Sequence, residues 1–83
     1  MRVIYDTKTD SLTIILRDIK IAESDEIDEG IIFDYDAQGQ IVALEILDAS
    51  RRVAQPTQMN YELVGIVALA NQSSPVEQSP VTL

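Results

Sequence analysis

The chain contains no cysteine, no histidine and no tryptophan. Without cysteine there is no disulfide, no zinc–thiolate site and no thiol nucleophile. Without histidine the usual general base, the commonest metal ligand and the side chain that ordinarily titrates near neutrality are all missing. Ser11, Ser24 and Ser50 therefore have no imidazole to activate them, and none sits in a G-x-S-x-G context. Glycine is scarce: Gly30, Gly39 and Gly65 are too few and too far apart for a phosphate-cradling loop. No apolar run approaches the ~20 residues of a membrane span. Met1 leads directly into Arg2-Val3-Ile4-Tyr5-Asp6, which lacks the length and cleavage site of a signal peptide, so a cytoplasmic protein is expected.

Basic residues are also few. Six stand against fourteen acids, for a net charge of −8. Such a field repels nucleic acids and anionic membranes over ~8 Å in physiological salt and favours basic proteins. The expected partner classes are thus a small basic protein or a second copy of the chain, with neither nucleic acid nor membrane. No cofactor is implied.

What is present is a chain of 83 residues that is 46% hydrophobic, enough for one folded domain. A domain of this size buries only ~60–65% of the surface its unfolded chain exposes and is marginal alone. With disulfides and thiolate metals excluded, self-association is the remaining reinforcement, and a homodimer is expected.

The apolar pattern is mainly β. Arg2–Tyr5 and Ser11–Leu16 flank the polar turn 6–10, with Leu12, Ile14 and Leu16 on one face. Residues 22–27 read as a charged edge strand, and Asp28-Glu29-Gly30 as a turn. Ile31–Tyr35 and Gln40–Leu47 form a second hairpin around Asp36-Ala37-Gln38-Gly39. Its Val42, Leu44 and Ile46 share one face, and Ile41, Ala43, Glu45 and Leu47 the other. That second face is apolar enough to need a cover, so Ile41, Ala43 and Leu47 are candidates for self-association. Tyr5-Asp6 and Tyr35-Asp36 end equivalent strands at the mouths of equivalent turns.

A short helical segment is expected after Ser50, capped by Asp48 or Ser50 and ended before Pro56. Thr57–Val64 alternates Met59, Tyr61 and Leu63 against polar residues and predicts a further strand. Residues 65–70 fit either strand or helix, and 71–83 have the composition of a disordered tail. The expected architecture is one mainly β domain over residues 1–70, an antiparallel sheet of about five or six strands in hairpins or a meander. An α+β arrangement is the variant.

Tyr5-Asp6, Asp10-Ser11-Leu12, Ala22-Glu23-Ser24, Gly30-Ile31-Ile32, Asp34-Tyr35-Asp36, Gly39, Ile41-Val42 and Glu45-Ile46-Leu47-Asp48-Ala49-Ser50 occur in an order that resembles a family of small prokaryotic proteins. That family is domain of unknown function 2283. The resemblance covers about residues 1–52, with a looser fit through Val64, and implies a compact, mostly antiparallel sheet. It implies no catalytic residues. Some members are thought to stand beside small toxin-like proteins, which implies a partner-binding, antitoxin-like role.

Three residue groups carry candidate chemistry. Segment 23–29 holds five carboxylates, Glu23, Asp25, Glu26, Asp28 and Glu29, in seven residues. It lacks the D-x-D-x-D-G spacing of a calcium loop, and an extended conformation scatters its acids to both sides. A solvated edge is the plain reading, and a docking surface for a basic partner the functional one. Asp34, Asp36 and Glu45 invite acid–base or cation chemistry, as in a small metal-dependent hydrolase. Against this, Asp36 suits the start of a turn. Asp34 and Glu45 on facing strands would repel unless a base or a register offset intervenes. Tyr5, Tyr35 and Tyr61 are expected to pack at the core or its rim, and Arg51-Arg52 to pair with nearby acids. The leading expectation is a non-enzymatic interaction module. A small hydrolase and a purely structural, self-associating subunit are the alternatives.

Overall fold

The computed structural model describes residues 1–65. Five strands follow one another: β1 (Arg2–Asp6), β2 (Ser11–Ile15), β3 (Glu23–Asp28), β4 (Ile31–Tyr35) and β5 (Ile41–Leu47). A four-residue helix, α1 (Ala49–Arg52), comes next. The strands make one open sheet in the order β1-β2-β5-β4-β3, and every pairing is antiparallel. The two outer hairpins are joined through the central pair β2–β5, so β1 and β3 are the edge strands among the described residues.

Local chemistry explains the turns. At the β4–β5 turn, Asp36 Oδ1 accepts from the backbone N–H groups of Gln38 and Gln40, each at 2.9 Å. Gly39 closes it at φ 83°, a conformation open to glycine. Asp6 does the same more simply at the β1–β2 turn, its Oδ1 accepting from Lys8 N–H at 2.9 Å. The Tyr-Asp echo thus reflects one turn device used twice.

Cross-strand register sorts the side chains into two faces. Val3, Ile14, Leu44 and Phe33 stand in one row, and Tyr5, Leu12, Ile46 and Ile31 in the next. The opposite face carries Ile4, Thr13, Glu45, Ile32 and Glu26, then Arg2, Ile15, Ala43, Asp34 and Ser24. A register shift sets Tyr35 opposite Ile41, two residues beyond the Asp34–Ala43 pair. Such a bulge interrupts alternation. Ala43 and Leu47 share the Glu45 face, and Ile41 falls beyond the interruption.

Among the described residues the buried apolar set is small: Leu12, Val42, Ala43 and Ala49. After α1, Pro56–Met59 line a shallow cleft with Val3, Tyr5 and Thr7 at the β1 end of the first face.

Two local expectations are overturned. Thr57–Val64 is not a strand. Its alternating Met59, Tyr61 and Leu63 are all exposed, so the pattern has no sheet to pair with and no face to bury. Tyr61, at 70% exposure, accordingly packs at neither core nor rim. Neither Asp48 nor Ser50 caps α1 through its own side chain. Asp48 stands at the cap position in the left-handed region with no side-chain bond, and the helix begins at Ala49. Residues 66–70, expected as strand or helix, and the tail 71–83 lie outside the described residues.

Candidate functional site

Three aspartates hold most of the polar geometry, and only one belongs to a candidate site. Asp10, at φ 55°, joins the first turn to α1. Its Oδ1 accepts from Tyr5 Oη at 2.6 Å and from Ser50 N–H at 3.0 Å, and its Oδ2 from Ser50 Oγ at 2.7 Å. Its backbone carbonyl accepts from Ala49 N–H at 2.9 Å. The helix is thus capped from forty residues away. The bonds from Tyr5 and Ser50 hold the Asp10 carboxyl below its ordinary range. The same Asp10 contact raises the Tyr5 phenol.

Asp36 is likewise committed to structure. Besides its two turn bonds, its Oδ2 pairs with Arg17 at 2.9 Å, the one ion pair among the described residues. The Gln40 N–H bond leads in lowering its pKa, and Arg17 adds to it. Arg51 and Arg52 make no ion pair in this set, contrary to expectation. The Arg52 guanidinium instead lies against Gly30, where a Cβ would meet it at 3.0 Å.

Asp34 is different. With Val42 it is one of the two most deeply buried large side chains, at 1% exposure. Ser24, its direct neighbour on β3, donates its hydroxyl to Asp34 Oδ1 at 2.6 Å. Asp34 Oδ2 receives no N–H or hydroxyl donor. Register sets Asp34 opposite Ala43 and Glu45 opposite Ile32, so the two acids are diagonal neighbours on one face. The small side chain of Ala43 leaves room for the long one of Glu45 to lean across. Hydrogen bonding to Asp34, then burial, then the Asp34 charge push Glu45 up to about 7. A carboxylic acid on Glu45 is thus the natural donor to Asp34 Oδ2. The expected separation of like charges takes the form of a register offset, with the Glu45 pKa raised beside Asp34. No base intervenes.

This arrangement divides the trio Asp34, Asp36 and Glu45. Asp34 and Glu45 come together, while Asp36 is spent on its turn and Arg17. No group of three acids placed to hold a metal ion occurs among the described residues. What the pair can do is take up and release one proton near neutral pH, an unusual capacity in a chain without histidine.

The acidic segment forms β3, whose six residues are all exposed on a sheet edge. Two of its carboxylates serve the adjoining turn. Glu26 Oε2 accepts from Gly30 N–H, and Asp28 Oδ1 from Glu29 N–H, both at 2.8 Å. Glu23 and Asp25 share one side of the strand and Glu26 the other. Of the proposed self-association residues, Ala43 is buried at the sheet centre, and Leu47 and Ile41 are each 37% exposed.

Sequence reasoning placed Asp34 and Glu45 on facing strands and missed the burial of Asp34. Ser24, two residues into an otherwise charged edge strand, was the available sign of a polar partner. The capping role of Asp10 had no local sign.

The fold and this pair define an open, single-sheet antiparallel β protein with two neighbouring carboxyl groups, Asp34 and Glu45, on one face. No helix among the described residues is long and apolar enough to cross a membrane. The family model described as Protein of unknown function (DUF2283) matches residues 2–50, and the chain belongs to that family. The match spans all five strands and ends at Ser50, the residue that Asp10 holds. No curated protein and no solved structure matches the chain.

Proposed function

We propose that this protein is a non-enzymatic interaction module that associates with a second copy of itself through the sheet face bearing Ile4, Ile15, Ile32 and Leu47. The observation that carries the reading is the exposure of apolar residues on that face around its buried centre: Ile4 and Leu47 are 38% and 37% exposed beside buried Ala43 and Asp34. The four buried apolar residues among those described are a small core for one domain, and a second apolar layer is the standard remedy. A second copy suits the face because a two-fold interface uses the same patch twice. Arg2 and Asp6 on β1 and Glu26 on β3 stand toward its edges, and Asp34 and Glu45 are the carboxyls at its centre.

Sedimentation velocity at tens of micromolar tests this. A dimer that dissociates on Leu47→Lys or Ile4→Lys supports it, and a monomer at all concentrations overturns it. Removal of residues 66–83 decides whether the chain's own C-terminal segment occupies the face instead. Dimerisation that appears only after that removal would assign the face to the segment.

A second reading rests on β3. An exposed edge strand bearing Glu23 and Asp25, with Glu29 in the turn that follows it, suits strand addition by a basic segment of another protein, the antitoxin-like role. Co-purification from the native host at low salt tests it. A basic partner lost on neutralising Glu23, Asp25 and Glu29 supports the reading, and recovery of none counts against it.

A further inference from the structure

The centre of the proposed self-association face holds Thr13, Ser24, Asp34 and Glu45 among its apolar residues. Glu45 is faced by Thr13 from β2 and by Ile32 and Asp34 from β4. Ser11 on β2, Ser24 and Glu26 on β3, and Arg2 and Asp6 at the β1 edge are the other polar and charged groups of the face. No cation adjoins the pair: Arg2 stands opposite Ile15 at the far edge, and Arg17 is engaged by Asp36. Asp34 Oδ2 is buried without an N–H or hydroxyl donor, so the Glu45 carboxyl proton is the group positioned to satisfy it.

We propose that the proton bridging Asp34 and Glu45 gates the pairing of two copies through this face, so that association is tight in mild acid and weak in mild alkali. The proposal rests on the self-association reading and names its regulation. With the proton in place each copy presents one charge shared by two carboxyls. Without it, each copy carries an ionised Glu45 beside the already buried Asp34 into an interface that removes water from Glu45, an arrangement burial strongly opposes. A two-fold interface doubles the effect. The sign follows from linkage. Covering Glu45 with a second copy favours its neutral form, so the dimer binds this proton more tightly than the monomer does. Association is therefore strongest below the titration of Glu45 and falls as pH rises through it. In a chain without histidine, no other side chain is ordinarily expected to titrate between pH 5.5 and 8.5.

The test is sedimentation velocity over a concentration series at pH 5.5, 7.0 and 8.5, with the full chain and with Glu45→Gln and Leu47→Lys. The expected result is a dissociation constant that rises ~tenfold or more from pH 5.5 to 8.5 in the unsubstituted protein. Glu45→Gln, which keeps a donor for Asp34, should remove that dependence, and Leu47→Lys should abolish the dimer. A dimer of constant affinity across this range, or a slope that survives Glu45→Gln, overturns the gate and leaves self-association standing. A monomer at every pH overturns both. Should Glu45→Gln fail to fold, carbon NMR titration of the Glu45 carboxyl at low and high protein concentration decides the matter. A midpoint that climbs with concentration supports the gate, and an unchanged one overturns it.

Discussion

The Asp10 carboxylate holds Ser50 twice, through its hydroxyl at 2.7 Å and its backbone N–H at 3.0 Å, and so ties the first hairpin to the helix that follows the last strand. Both partners lie at the ends of the sheet's central strand pair, where Ser11 faces Leu47. The contact therefore locks the exit of β5 onto the entry of β2.

Substitutions at this junction should be graded. Ser50→Ala removes the hydroxyl bond and leaves the N–H bond, so a loss of ~1 kcal/mol is expected. Asp10→Ala removes every side-chain bond of the junction and puts a residue with no local polar support at positive φ, so its loss should be clearly larger. Urea denaturation followed by far-UV circular dichroism measures both. Equal losses would mean that the cap contributes little beyond the hydroxyl.

Gly30 offers a sharper test of backbone against contact. Its φ of 77° disfavours any Cβ, and the space a Cβ would take is bounded by the flexible end of Arg52. Gly30→Ala should cost ~1–2 kcal/mol from the left-handed backbone. The same change in an Arg52→Ala background should cost nearly as much, because the guanidinium can move aside. A rescue by Arg52→Ala would assign the cost to the contact.

The strands were legible because strict alternation over short runs bounded by Asp and Gly has few other readings, as in Ser11–Leu16 and Ile31–Tyr35. The same logic failed at Thr57–Val64. Alternation marks what a strand would bury, and Met59, Tyr61 and Leu63 all stay exposed. The pair Asp34 and Glu45 was legible as a pair of acids on facing strands, but its burial depends on register. Which residue stands opposite Ala43 is set by the bulge between Asp34 and Tyr35, and a bulge leaves no mark in hydrophobic period. The Asp10–Ser50 junction depends on the β2–β5 pairing, a contact between distant segments that local sequence does not encode.

Ser24 should matter more than its place on an exposed edge strand suggests. It is the hydroxyl donor to a carboxylate that is 1% exposed, and Ser24→Ala leaves Asp34 with neither oxygen held by a hydroxyl or N–H. Loss of a partner to a buried charged acceptor costs ~1–3 kcal/mol. Ser24→Thr keeps the hydroxyl and should retain most of the stability. Thermal unfolding of the two variants at pH 6 distinguishes this from a general intolerance of β3 to change, in which case both would fall together.

The pH dependence of stability should have two limbs of different origin. Asp10 and Asp36 are held below their ordinary value of 3.8, so each contributes stability that is fully present above that value and lost as pH falls through its lowered one. Glu45 behaves oppositely. Its pKa is raised from 4.5 to about 7, so its contribution is fully present below 4.5 and lost as pH rises through about 7. Stability should therefore peak in mild acid and decline toward pH 8. Solvent screens part of the Glu45 effect, which leaves a decline on the order of 1–2 kcal/mol. Glu45→Gln should flatten this limb and leave the acid limb in place. Asp34→Asn should also flatten it, since an amide beside Glu45 removes the charge that opposes ionisation. Urea midpoints of the three proteins from pH 3 to 8.5 measure both limbs. An alkaline decline that persists in both variants would place its origin outside the Asp34–Glu45 pair.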